Sequence, residues 1–311
     1  MAWLRAALML VAAGVIAISV APLGARAWWV LDLFTHFRIQ YLAIGIVLLL
    51  LLAAVRKPAW CAALGACIAI NAAAASDYWP ALRQPSNAAL ETREPIRVLT
   101  VNLSTLDFAP EPLLEIIGGE SPDIVLLVEF TPVWQERLQK LDAAYPHRLK
   151  LPARGAFGLA LLSRHELVDA RQIALGANAA IEARIRAPAG SFTLLGVHLR
   201  APMNRALAIL RNGQLEELAE RRAAISGPVM VLGDFNITPF SPFFIDWLAA
   251  TGLRDAGAGR GPWFSWPSSL PIAGIPIDHC VVSEDFEVTA HRRLPAFGSD
   301  HYPVLAEVVL R

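Results

Sequence analysis

Three long windows without a charged side chain open this chain, and they limit what it can be. Ala6 to Ala25 lie between Arg5 and Arg26 as 20 uncharged, mostly apolar residues. At about 1.5 Å per residue, a helix over this window covers the roughly 30 Å hydrocarbon core of a bilayer. Ile39 to Val55, with a leucine run from Leu48 to Leu52, lie between Arg38 and Arg56, and the Ala-rich window Pro58 to Ser76 lies between Lys57 and Asp77. Trp28, Trp29, Trp60, Tyr78 and Trp79 stand at the window ends, where amphipathic rings favour the headgroup zone. A cleaved signal peptide, with Ala25-Arg26-Ala27 as the cleavage site, accounts for the first window only. Buried helices of a soluble core rarely come as three such windows in succession. The sequence therefore predicts about three transmembrane helices in residues 1–76, which tie the rest to a lipid bilayer. Placing Arg5, Arg56 and Lys57 in the cytoplasm sends the remainder to the periplasmic side of an inner membrane, although Arg26 and Arg38 then fall outside as well.

Of the 311 residues, 55% are hydrophobic and 17% charged, and the apolar excess is concentrated in the first eighty. Residues 1–90 take six of the 27 Lys/Arg and two of the 27 Asp/Glu, which leaves 21 basic against 25 acidic residues in 91–311, a net of −4. That mild acidity argues against strong non-specific binding to nucleic acid, which depends on neutralising phosphates. Cys61 and Cys67 fall in an apolar window and Cys280 stands alone, so neither a disulfide framework nor a zinc spacing is present. Residues 77–94, broken by prolines, read as a linker. A separate domain over 95–311 follows.

In that domain continuous apolar runs alternate with helical spacing. Strands are expected at Ile96 to Val101, Pro122 to Val128, Gly158 to Leu162, Ala180 to Ile185, Ser191 to Val197, Val229 to Leu232 and Pro303 to Val309. Helices are expected around Leu113 to Ile117, Pro132 to Leu141 and Arg205 to Ile225. Pro239 and Pro242 are expected to exclude any immediate helix or central strand after Asn236. Asn102, Glu129, His198 and Asp234 each stand at, or one glycine past, the carboxyl end of an apolar run. One polar residue there is ordinary. Four suggest convergence on one crevice, where α/β proteins place their chemistry.

Acid, amide and further carboxylates form a hard-oxygen site suited to Mg2+ or Mn2+, and histidines beside it can bind a phosphoryl oxygen or protonate a leaving group. There is no G-x-S-x-G elbow and no G-x-x-x-x-G-K-[ST] loop. Metal-assisted hydrolysis of a phosphate ester is the reaction class these residues point to.

Six segments in order, Val101-Asn102, Asp123 to Glu129, Gly196 to Leu199, Gly233 to Asn236, Ile277 to His279 and Ser299 to Pro303, resemble the endonuclease/exonuclease/phosphatase superfamily over about residues 95–311. The resemblance implies an α/β (α+β) fold, a four-layer sandwich of two mixed β-sheets flanked by helices. It implies Glu129 as principal metal ligand, helped by Asn102 and Asp300. It further implies Asp234 orienting or deprotonating the attacking water, with Asn236 holding that water or a phosphate oxygen. His301 would contact the scissile phosphate with Asp278 accepting its ring N–H, and His198 would stabilise developing charge or protonate the leaving oxygen. Many nucleases of the superfamily carry a second Asn soon after the first strand, and here Leu103 to Asp107 offer none. His279 is read as a structural neighbour of Asp278 and Arg164 as a solvated turn residue. The run Pro262 to Pro271 could be a substrate-facing aromatic loop or packing under a loop.

The resulting expectation is a membrane-anchored, Mg2+-dependent phosphoesterase that attacks a phosphodiester or phosphomonoester with activated water. Its substrate would be a lipid headgroup or small phosphoester, with nuclease action on DNA or RNA as the alternative. A non-catalytic binding module on the same fold is the second alternative. No protein partner is indicated.

Overall fold

A computed structural model of the chain describes residues 2–79, 94–106, 108–261 and 263–311. The N-terminal part is a helical bundle: α1 (Ala2–Val20), a short α2 (Trp29–Leu33), α3 (Arg38–Ala54) and α4 (Pro58–Ala74). Ala12, Val15, Leu48, Leu52 and Leu64 form its core, while Leu10, Val11, Ile44, Val47 and Leu50 point outward, exposed. Two stretches, Arg5–Gly24 and Trp29–Ala54, are long and apolar enough to cross a membrane. The third expected span is instead a shorter apolar helix of 17 residues. It stops because the chain turns at Ala75 to seat Tyr78, whose hydroxyl donates to Asp255 Oδ2 at 3.1 Å. The expected linker therefore starts as docked chain, and residues 80–93 lie outside the described residues.

The rest is a four-layer sandwich. Its strands are β1 (Ile96–Asn102), β2 (Ile124–Val128), β3 (His147–Leu151), β4 (Leu159–Ser163), β5 (Glu166–Leu175), β6 (Asn178–Ala187), β7 (Gly190–His198), β8 (Val229–Asp234), β9 (Arg254–Asp255), β10 (Asp278–Val282), β11 (Phe286–Arg293) and β12 (Val304–Leu310). Its helices are α5 (Glu111–Glu120), α6 (Pro132–Arg137), α7 (Arg205–Ala224) and α8 (Pro242–Thr251). One sheet runs β11-β12-β1-β2-β4-β3 and the other β5-β6-β7-β8-β10-β9. β1 pairs parallel with β2 and β7 with β8, and the remaining ladders are antiparallel.

Continuous apolar runs form the central strands because both faces are covered. Val98, Leu126, Leu194, Met230 and Leu232 point between the sheets. Their neighbours Leu99, Val125 and Leu127 face α5 and α6, and Leu195, Val229 and Val231 face α7 and α8, as the two-residue period of a strand dictates. β3, β5 and β11 escape a search for apolar runs because their exposed faces carry charge. The expectation that Pro239 and Pro242 block a helix is wrong for a definite reason. Pro242 occupies the first helical position of α8, where a missing N–H costs nothing, and the Ser241 hydroxyl accepts from Phe243 N at 3.3 Å as the cap.

Helical bundle and sandwich are bolted together by polar contacts. Asp32 and Arg211 pair at 2.7 Å with both side chains buried, and Ser241 Oγ donates to the second Asp32 oxygen at 2.6 Å. Arg26 pairs with Asp246, His36 Nδ1 lies 2.9 Å from Thr238 Oγ1, and Gln40 Nε2 donates to Gly274 O at 2.6 Å. Removing one partner of a buried ion pair strands the other charge, at a cost of about 3–5 kcal/mol. Asp32→Asn in the detergent-solubilised full chain should lose stability of that order in thermal unfolding, and Asp32→Asn/Arg211→Met should recover much of it. A single-variant loss under about 1 kcal/mol would contradict the bolt.

Candidate active site

The two parallel strand pairs end on the same side of the sandwich, and their ends meet. The register sets His198 opposite Asp234 on β7 and β8, and Asp278, at the start of antiparallel β10, opposite Asp234 on the other side. Asn102 ends β1 opposite Val128, so Glu129 follows directly. Backbone geometry then aims the side chains. Gly233 lies at φ 147°, and a Cβ there would stand 1.9 Å from Val197 O, so only glycine lets β8 approach β7 this closely and present Asp234. Glu129 and Asn236 adopt left-handed φ values of 60° and 49°, a conformation that costs non-glycine residues energy and clusters at functional sites.

All eight expected site residues gather around one crevice of about 560 Å3; Glu129, His198, Asp234, Asn236, Asp300 and His301 line it, while Asn102 and Asp278 support it from beneath. Asn102 Nδ2 donates to Asp234 Oδ2 at 3.0 Å and to Glu129 Oε1 at 3.4 Å. The other Asp234 oxygen accepts the Asn236 N–H at 2.8 Å. His301 Nδ1 donates to Asp278 Oδ2 at 2.8 Å, leaving Nε2 at 3.9 Å from Asp234 Oδ2. His198 Nδ1 donates to Ala156 O at 2.9 Å, and its Nε2 stands 3.7 Å from Asp234 Oδ2. Asp278 Oδ1 is buried without a partner.

The charges are poised. Burial, then the nearby Asp278 carboxylate, pushes Asp234 up to about 7, and burial also raises Glu129. Burial holds His198 down at about 4, neutral at physiological pH. Burial draws His301 down too, but the Asp278 carboxylate, with Asp234 and Asp300 behind it, outweighs this and lifts His301 to about 9. At neutral pH His301 is thus an imidazolium fixed by Asp278, which is a charge donor aimed at the crevice.

The tightest donor cluster is Asp234, Asp278 and His301, within 4.8 Å of one another. One atom each from Asp278 and His301 is committed to their mutual bond, so this trio serves better as a proton network than as a cation cage. Glu129, Asp234 and Asp300 offer hard oxygens around one space. Burial lifts two of them, Glu129 and Asp234, above their ordinary pKa, and a divalent cation nearby would offset that. The donor set fits Mg2+ or Mn2+. Asn102 is placed here as an amide donor between two carboxylates; its Oδ1 accepts from Ser104 N at 2.9 Å, and ligation would require the amide to turn.

The endonuclease/exonuclease/phosphatase family's sequence profile matches residues 99–301. The chain belongs to this family. It is accordingly a hydrolase of phosphate ester bonds, which sets aside the non-catalytic alternative. Comparison with the curated proteins finds no match. Among solved structures, an endonuclease/exonuclease/phosphatase from Beutenbergia cavernae is similar at TM-score 0.58 and 24% identity, covering 70% of this chain and 72% of that one. TDP2 of D. rerio, solved with a single-strand DNA product, gives 0.58 at 15% identity over 70% and 100%. The human Nocturnin catalytic domain, solved with a sulfate anion, gives 0.55 at 22% over 70% and 95%. These likenesses show the fold.

Further contacts shape the crevice, some from segments the sequence marks and some not. Trp266 Nε1 donates to Asp300 Oδ2 at 3.1 Å, so Trp266 of the aromatic run faces the site. Ser299 Oγ donates to Asn102 O at 2.8 Å, tying the SDH loop to β1. His279 is structural, as expected: Nδ1 donates to Asp255 at 3.0 Å and Nε2 to Ile237 O at 2.9 Å. Trp29, Leu33, His36 and Phe37 also line the crevice. The signal for them was Asp32, the only acid in the first 76 residues, since an acid in an apolar segment demands a partner and marks function.

Carbon-13 NMR of Asp-labelled full chain in EDTA should show one carboxyl titrating near 7, absent in Asp234→Asn and moved to lower pH by Mg2+. All Asp carboxyls titrating below about 5 would contradict the charge arrangement.

Proposed function

We propose that the chain is a membrane-anchored, metal-dependent phosphoesterase in which Asp234 activates a water against a phosphate ester. The single observation that carries this is the buried Asp234, held by Asn102 and the Asn236 N–H between two histidines of opposite protonation state. A carboxylate whose proton affinity sits near neutral pH accepts a proton from water more readily than an ordinary aspartate. The oxygen of that water bonds to phosphorus as its proton passes to Asp234 and the P–O bond to the leaving group breaks. His301, kept charged by Asp278, would stabilise the non-bridging oxygens. His198, neutral in the free site, gains a proton when phosphate adds negative charge beside it, and Nε2–H can then pass that proton to the leaving oxygen. Glu129 and Asp300, with a turned Asn102, would hold the metal, which when bound supplies positive charge at the phosphoryl oxygens, while Asp234 is kept for the proton.

Residues 1–76 serve in this proposal as the anchor, 77–94 as the connection and 95–311 as the catalytic domain. The exposed apolar sides of α1 and α3 support membrane insertion. Sidedness follows from the same bundle. Residues 25–40 and 76–79 touch the sandwich, so Arg5 and the Arg56-Lys57 turn lie at the far end of the bundle. Arg26 pairs with Asp246, and Arg38 is buried against Ser19 O and Asn71 Oδ1, so neither presents unpaired charge at the bundle surface. The free positive charge then lies on one side, the cytoplasmic one, which sends the domain to the periplasmic side. A nuclease is the alternative that the TDP2 likeness brings to mind, but among the described residues that line the crevice there is no Lys or Arg, Arg200 being stacked on the lining Phe157.

Full chain in detergent with Mg2+ should hydrolyse bis(p-nitrophenyl) phosphate or p-nitrophenyl phosphate. EDTA should abolish this, and Asp234→Ala should lower kcat by roughly 10²–10⁴-fold. Turnover surviving both changes would refute the mechanism.

A further inference from the structure

The crevice has two unlike sides. Its floor is polar: Glu129, Asp234, Asn236, Asp300 and the two histidines. Its upper wall is apolar and is built by chain from outside the sandwich, Trp29 and Leu33 of α2 with Phe37, facing Phe157 and Met203. That wall is the junction between the first apolar helix and α3, so the segment that lines the site is also the segment that leaves the bilayer. Asp32, His36 and Gln40 fasten it to the sandwich at three points.

A second observation is independent of the wall. The loop Trp263 to Ile275 bears Trp263, Leu270 and Ile272 on its surface, the last 82% exposed. Its Gly274 carbonyl accepts from Gln40 near the start of α3, which sets these apolar tips at the level where α3 begins. On the opposite lip Met203 is 77% exposed. A small hydrophilic phosphoester gives no physical reason for exposed aliphatic side chains such as Leu270, Ile272 and Met203 beside a site whose chemistry is ionic. Exposed apolar patches of this kind mark contact with a membrane or an apolar ligand.

We infer that the substrate is a membrane amphiphile. Its phosphoester headgroup reaches the carboxylate floor, while its hydrocarbon lies along Trp29, Leu33 and Phe37 and runs out into the bilayer. The loop tips at Leu270 and Ile272 sit in the interface and hold the mouth against the lipid surface. This rests on the phosphoesterase reading above and adds the substrate class to it. The reaction is simple hydrolysis: water adds to phosphorus, the P–O ester bond breaks, and no further co-reactant is required.

The test uses full chain in phosphatidylcholine nanodiscs with Mg2+. Matched substrates are dioleoyl phosphatidic acid against glycerol 3-phosphate, dioleoyl phosphatidylglycerol against glycerophosphoglycerol, and a single-stranded oligonucleotide. At least one lipid should be hydrolysed with kcat/KM at least about tenfold above its soluble headgroup, the effect of roughly two buried methylenes. Ile272→Asp, at an exposed position where folding is not at risk, should lower that lipid-to-headgroup ratio about threefold or more, and Trp29→Ala should lower it further. A soluble headgroup or the oligonucleotide cleaved as well as any lipid, or a ratio unmoved by both variants, overturns the lipid assignment and leaves the phosphoesterase reading intact. Absence of hydrolysis in every arm, or lipid cleavage undiminished in Asp234→Ala, overturns that reading itself.

Discussion

Arg211 is the largest fully buried side chain among the described residues, and the buried contact with Asp32 joins the two parts of the molecule. A guanidinium cannot shed its charge by deprotonation at any physiological pH, so α7 requires a carboxylate beside it. That carboxylate comes from α2 of the helical bundle, near the start of its second apolar stretch. The same guanidinium donates to the carbonyl of Asn236 at 3.4 Å, two residues from the aspartate that faces the crevice. One ion pair therefore orients the anchor, the catalytic loop and the apolar wall together. Each buried charge is tolerable only because the other is present, and this makes bundle and sandwich a single structural unit.

The sandwich contributes the complementary constraint. Parallel pairing of β1 with β2 and of β7 with β8 forces four carboxyl ends to one side, and antiparallel β10 begins where β8 ends. Side chains there leave the strand ladder with few backbone partners of their own. Asp234 is buried among an amide, a backbone N–H, two imidazoles and other acids. Its raised proton affinity is a direct result of that placement, as is the charged state of His301 beside Asp278. Glu129 and Asn236 hold left-handed backbone conformations to turn their side chains into the same space, and the rigid strands behind them absorb the strain.

Much of this could be read from the residues. Strands covered on both faces announce themselves as unbroken aliphatic runs, and the polar residue ending each run marks where the chain emerges. Amphipathic edge strands were harder: β3 and β5 carry arginines, lysine and acids on their exposed faces, and their apolar signal is diluted below notice. Pro242 misled because a proline is a helix breaker in mid-helix and a helix starter at the first position, and the deciding neighbour was Ser241. The apolar wall of the crevice could not be read at all from periodicity. Trp29, Leu33 and Phe37 belong to an apolar stretch whose composition suits lipid, and only the lone acid Asp32 hinted that this segment docks on protein.

The central claim is that water, activated at Asp234, attacks phosphorus in one step without an enzyme-bound intermediate. The crevice offers carboxylates and imidazoles but no serine or cysteine nucleophile among its lining residues. Hydrolysis of a phosphorothioate diester of known configuration, carried out in oxygen-18 water, measures this directly. A single in-line displacement predicts inversion at phosphorus, whereas retention would require a covalent enzyme intermediate and would contradict the account.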